Sequence, residues 1–174
     1  MLPPDGLGRP DKDMEIKPAA IVLVALAVLF PSCVFYELPT DYSGATASIR
    51  STAKKINPVK GEGYHILAVN GKSAMHSPMA TPYGAGMGMS LSERTLQVPC
   101  EPLDLKLSGG NIYAADGVAM ADSIIGGNHS VTGNVSFTPK ANGDYSVTGI
   151  TGKGQTSVWI IDNKTGKIAS SKVE

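Results

Sequence analysis

The stretch Leu103-Asp104-Leu105-Lys106-Leu107-Ser108 sets an apolar side chain at every second position. Successive side chains of an extended strand point to opposite faces, so such a stretch buries one face and wets the other only as a strand. Related patterns recur along the chain. Ala45 to Arg50 predicts a first short strand. Gly63 to Val69 predicts a second, closed by Asn70-Gly71, a dipeptide suited to positive φ in a tight turn. Met87, Met89 and Leu91 alternate with polar neighbours, and Leu96 and Val98 resume the pattern after a break. Ser130 to Thr138 and Asp144 to Ile150 predict two strands joined as a hairpin through Asn142-Gly143. Ser157 to Ile161 and Lys167 to Ala169 flank Asp162-Asn163-Lys164-Thr165-Gly166, which predicts another hairpin. Gly117 to Ile125 is the one stretch where a short helix is conceivable.

About seven or eight short strands with frequent turns predict an all-β chain. The expected fold is an antiparallel β-sandwich, Ig-like or transthyretin-like, after an N-terminal signal segment; a closed barrel is the alternative. Strands of an outer-membrane barrel run about 10 residues and carry aromatic girdles. These strands are shorter, and the chain has only one Trp, six Tyr and three Phe.

Residues Ala19 to Phe30 read AAIVLVALAVLF, an unbroken apolar run behind Lys12 and Lys17. A membrane-spanning helix takes about 20 apolar residues, whereas the apolar region of a secretory signal takes about 7–15. The run fits the signal. Translation from Met14 gives a leader of ordinary signal length, MEIKPAAIVLVALAVLFPS, directly before Cys33. The preceding MLPPDGLGRPDKD is polar and rich in Pro and Gly. It reads as an over-extended start or as a disordered extension.

A cysteine directly behind such a run resembles the lipobox of bacterial lipoproteins. The resemblance covers Leu29-Phe30-Pro31-Ser32-Cys33, with Ser32 as the small residue just before the cysteine. Phe30 and Pro31 stand where that family carries Leu and a small residue. The resemblance implies that residues 1–32 are a signal peptide, that Cys33 is diacylated on sulfur and becomes the first residue, and that the segment 33–44 is a lipidated tether. Residues 45–174 are then the sandwich domain. Val34 rather than Asp behind the cysteine implies sorting to the outer membrane, facing the periplasm or the surface. Acyl chains bury methylenes at ~0.8 kcal/mol each, which makes such an anchor stable. Two alternatives stay open: a disulfide between Cys33 and Cys100 in an exported protein, and an uncleaved anchor extended through Cys33-Val34-Phe35-Tyr36.

Fifteen Lys and Arg balance fifteen Asp and Glu, and a nucleic-acid binder normally carries a basic excess. Hydrophobic residues make up 42% of the chain, too many for a disordered polyelectrolyte. Two cysteines make neither a disulfide framework nor a zinc ribbon. The C-terminal half, with Tyr145-Ser146-Val147-Thr148-Gly149 and Val158-Trp159-Ile160-Ile161-Asp162-Asn163-Lys164-Thr165-Gly166, resembles the end of small envelope lipoprotein sandwiches. Leu96 to Gly109 resembles an edge of surface-associated sandwich modules. Both resemblances imply location more than activity.

Met75, His76 and Met79 lie close together in a Pro-bent stretch, with Met87 and Met89 beyond. Thioether sulfur and imidazole suit Cu(I), so Met75, His76, Met79 and Met89 form a candidate metal site. The other reading makes the methionines gap-filling apolar residues. Pro82 to Gly88 lacks the Gly-Lys-Ser/Thr of a phosphate loop. His65, His76 and His129 match no zinc pattern. Cys100 has no His near it in sequence to activate it and reads as a buried small apolar residue. Tyr113, Tyr145 and Trp159 are candidates for a ligand face, although a lone Trp in an apolar run more often fills a sandwich core.

The sequence therefore predicts a non-enzymatic envelope lipoprotein with a binding or structural accessory role. Its expected partners are the membrane, through the lipid anchor, and another envelope protein, not nucleic acid; no cofactor is expected. A periplasmic copper-binding protein is the alternative, and an envelope hydrolase comes third.

Overall fold

A computed structural model of the chain describes residues 35–80, 89–114, 116–124, 126–127, 129–152 and 154–174, the side chains of Met79, Ala80 and Asp116 excepted. The strands are β1 (Thr46–Arg50), β2 (Thr52–Asn57), β3 (Lys60–Val69), β4 (Lys72–Ser73), β5 (Met79–Ala80), β6 (Leu91–Ser92), β7 (Thr95–Pro99), β8 (Leu103–Tyr113), β9 (Ser130–Phe137), β10 (Asp144–Ile150) and β11 (Ser157–Asp162). A helix, α1 (Asp116–Ile124), lies between β8 and β9. It ends where Gly126 takes a φ of 71° and the Gly127 N–H bonds to the Asp122 carbonyl, the left-handed stop that glycine supplies cheaply.

Two sheets face each other. One has the order β11-β10-β1-β7; the other has β2-β3-β8-β9, with β4 also pairing β3; β5 and β6 form a separate ribbon. The all-β sandwich is therefore as the patterning predicts, and among the described residues the sheets do not close into one barrel. Among the described strands pairing is antiparallel except between β1 and β10, where Ile49 lies beside Tyr145 in a parallel register.

The inward set follows the period of two. Leu103, Leu105 and Leu107 of β8 meet Val135 and Phe137 of β9 on one sheet, and Ala47, Ile49, Val98, Val147, Val158 and Ile160 fill the other side. Leu105, Leu107, Ile49, Val147 and Ile160 are completely buried. Tyr64 crosses the inter-sheet space. A Cβ at Gly109 or Gly149 would run into its ring, so these two glycines form the slot that admits it. Its hydroxyl pairs with Thr151 Oγ1 at 2.9 Å and donates to Glu62 Oε2 at 3.1 Å. Burial raises the phenol pKa to about 12.

Three sequence expectations need correction. β9 and β10 are not a hairpin. The Asn142-Gly143 turn forms, with Asn142 at a φ of 55°, but β9 pairs β8 in one sheet and β10 pairs β1 and β11 in the other. Trp159 is not a core residue, because Val158 and Ile160 take the inward positions and leave it opposite Thr148 on the outer face. The segment expected as a tether is held to the sandwich from Phe35 onward. Phe35 forms a parallel bridge with Ser73, the Tyr36 N–H bonds to the Ser73 carbonyl at 2.7 Å, and the Tyr36 side chain packs on the core. The expected signal region 1–32 lies outside the described residues.

Candidate functional site

Ser51 marks the corner where the chain leaves one sheet as β1 and enters the other as β2. It is fully buried. Its backbone N–H donates to the Arg94 carbonyl at 2.8 Å, and its Oγ accepts the Arg94 N–H at 2.8 Å. The hydroxyl thus replaces a ladder partner that a bend has removed. His76 sits in the same corner, 1% exposed. Its Nδ1 accepts the Ile66 N–H at 3.0 Å, and its Nε2 lies 3.0 Å from the Ile49 carbonyl. An imidazole that accepts at Nδ1 and donates from Nε2 is neutral, with both nitrogens engaged. Burial lowers its pKa to about 4.

That geometry removes His76 from the candidate metal set, since no lone pair remains for an ion. Met75 is 65% exposed, whereas Met89 is 2% exposed. Met89 lies over Gly61 beside Leu91 in a small cluster on the outer side of β3, where a Cβ on Gly61 would collide with its Cε. The Met79 side chain and all of Met87 lie outside the described residues. Among the described residues no three His, Cys, Asp or Glu side chains gather around a common point.

The three aromatic candidates do not converge. Tyr145 is buried, meets Phe137 edge-on with centroids 5.0 Å apart, and accepts the Lys140 N–H at 3.0 Å through its hydroxyl. Trp159 lies under the Lys172 ammonium, 4.5 Å from the ring centroid. Tyr113 stands at the far end of β8, where its hydroxyl donates to Asp122 Oδ2 at 2.6 Å. The same carboxylate oxygen accepts Lys60 Nζ at 2.6 Å, and Lys60 also reaches the Gly127 carbonyl. The Lys60 bond, then the Tyr113 bond, lowers the Asp122 pKa, and the Asp122 bond raises that of Lys60. Sequence reading missed this triad because Lys60 and Asp122 are brought together only by the β3–β8 pairing.

Concave surface lies at the opposite end. A groove of about 420 Å³ is lined by Phe137, Lys140, Tyr145, Asp162, Thr165 and Lys167, among others. A second hollow of about 210 Å³ lies between Tyr36, Pro39, Tyr42, Asn70, Lys72 and Glu101. One row of pairings places both hollows at one end: Leu103 lies opposite Phe137, the Asn70 N–H bonds to the Asp104 carbonyl, and the Asn142 N–H bonds to the Thr46 carbonyl. Asp162 Oδ1 accepts the N–H groups of Lys164 and Thr165, and Lys164 Nζ reaches the Asn142 carbonyl, so the polar groups of the groove mainly hold its own turns. Cys100 is a half-buried free cysteine against the core, and Cys33 lies outside the described residues. Among the described residues no helix is long and apolar enough to cross a membrane. Comparison with family models, curated proteins and solved structures yields no match.

Proposed function

We propose that the chain is a non-enzymatic cell-envelope lipoprotein, anchored by an acylated Cys33 and exposing one sandwich to the periplasm or the surface from the outer membrane. The observation that carries this is the apolar run Ala19–Phe30, of signal rather than spanning length, followed at once by Pro31-Ser32-Cys33. Two acyl chains or more supply the anchoring that a single chain does not. The sandwich is of Ig-like or transthyretin-like type, a reading supported by the two sheets and by the crossings from β7 to β8 and from β9 to β10. A binding or structural role, with another envelope protein as partner, is supported by the employment of the polar clusters. His76 ties two sheets, Asp122 ties a helix, and Asp162 ties a turn. Mass spectrometry of the mature N-terminus from the native host tests the proposal. The expected result is Cys33 as first residue bearing diacylglycerol. An unmodified Cys33 or a retained leader overturns it.

A further inference from the structure

We propose that the end of the sandwich carrying the Asn70-Gly71 turn lies against the lipid surface, with β3 and β8 leading away from it and α1 at the distal end. This rests on the acylation of Cys33 proposed above, and adds that the domain has a fixed direction rather than a free tether. The deciding observation is the parallel bridge between Phe35 and Ser73. β4 runs away from the Asn70-Gly71 turn, so a segment parallel to it also runs away from that turn. The chain therefore enters Phe35 from the turn side. Cys33 is two residues from Phe35, a reach of at most ~7 Å. The acylated sulfur sits at the bilayer boundary, so Phe35 and the turn beside it cannot stand far off.

The surface at this end suits such a contact. Phe35 is 53% exposed, and Tyr36 and Tyr42 line the neighbouring hollow; aromatic side chains of this kind favour the headgroup region. Asn70, Gly71, Asn142 and Gly166 take positive φ here, which marks the tips of tight turns. Charge does not select the face. Lys72, Lys140, Lys164 and Lys167 share it with Glu37, Glu101, Asp104, Asp144 and Asp162, so attachment comes from the anchor and is insensitive to salt. The Lys60 end of β3, where Asp122 holds α1, lies nine residue steps away, or ~30 Å at the rise of a strand. That is far beyond the headgroup layer.

The test uses the full chain, produced and acylated in a lipoprotein-processing bacterium and reconstituted into phosphatidylethanolamine/phosphatidylglycerol vesicles. A fluorophore is placed through Lys72→Cys, Lys164→Cys or Met120→Cys, each in a Cys100→Ser background, and quenched by a lipid with a nitroxide headgroup. Several-fold stronger quenching at positions 72 and 164 than at 120, unchanged in high salt, is the expected result. Equal quenching at all three sites, or the strongest at 120, in protein that floats with the vesicles overturns the orientation alone. Protein that does not float and whose Cys33 is unmodified by mass overturns the anchor, and the orientation with it.

Discussion

His76 is the residue on which the corner between the sheets turns. Its ring accepts from Ile66 in one sheet and donates to Ile49 in the other, so protonation at Nδ1 breaks one bond and buries a charge. The folded pKa, about 4, lies below the ordinary value of 6.5. The unfolded chain therefore takes up the proton first as pH falls. The stabilisation is fully present above about pH 6.5 and is lost progressively down to about pH 4, amounting to roughly 3 kcal/mol at the limit. His65, whose pKa burial also lowers, adds in the same direction. Urea midpoints measured from pH 7.5 to pH 4 should fall along this course. His76→Ala should flatten the profile and cost roughly 2–4 kcal/mol at neutral pH, because it leaves the Ile66 N–H unpaired beside a cavity. A profile that keeps its full slope in His76→Ala would assign the pH dependence elsewhere. Tyr64 offers a second residue-scale check. Tyr64→Phe removes the bonds to Thr151 and Glu62 and should cost about 1 kcal/mol. Gly149→Ala drives a methyl into the same ring and the Ser157 carbonyl and should cost roughly 1–3 kcal/mol.

At the scale of elements, legibility follows from whether one face of a segment alone decides its state. β8 was readable because Leu103, Leu105 and Leu107 repeat without exception. Its extension through Gly109-Gly110 to Tyr113 was not, because glycine carries no face; only Tyr64 lying over Gly109 explains it. β2 was missed because Thr-Ala-Lys-Lys-Ile-Asn buries almost nothing and is a strand through its pairing with β3 alone. The turn chemistry of Asn142-Gly143 was read correctly and its partnership wrongly, since a turn dictates local direction while sheet membership is set by what lies across each strand. His76 leaves the candidate metal set for a related reason. Proximity of Met75 and His76 in sequence says nothing about side-chain direction, and one lies exposed while the other is buried. Helix α1 shows an element held by polar contacts. Met120 and Ile124 point to solvent, and Asp122 fastens the helix to Lys60 and Tyr113. Asp122→Asn should therefore speed hydrogen exchange over residues 116–124 and leave that of β3 and β8 unchanged. Equal acceleration across the sandwich would mean that the triad supports the whole fold rather than the helix.

At the scale of the molecule, the open sides of the sandwich are each closed by an end of the described chain. An uncovered edge strand is a template for pairing with another copy. On one side Phe35 bridges Ser73 of β4 while the Tyr36 hydroxyl donates to the Gln97 carbonyl of β7, joining the two sheets. On the other side the C-terminal segment covers β11 almost completely. The Asp162 N–H goes to the Lys167 carbonyl, the Ala169 N–H to the Ile160 carbonyl, and the Ile160 N–H to Ser170 Oγ. Val158 and Val173 exchange two bonds of 2.9 Å. Val173 also reaches across to β9, where it lies over Gly133. Removing residues 169–174 should therefore uncover the outward edge of β11 and the adjoining part of β9 together. At roughly 1 kcal/mol per lost bond, four lost bonds take away a large part of the stability of a domain that has about 5–15 kcal/mol in all. The truncated protein should unfold at markedly lower urea and sediment as oligomers whose formation depends on concentration. Val173→Asp keeps the backbone in place while setting a charge against Gly133, so it should lower the midpoint without opening the edge and remain monomeric. If the truncation stays monomeric with an unchanged midpoint, the tail is an ornament on β11 and the edge must be protected by its own side chains.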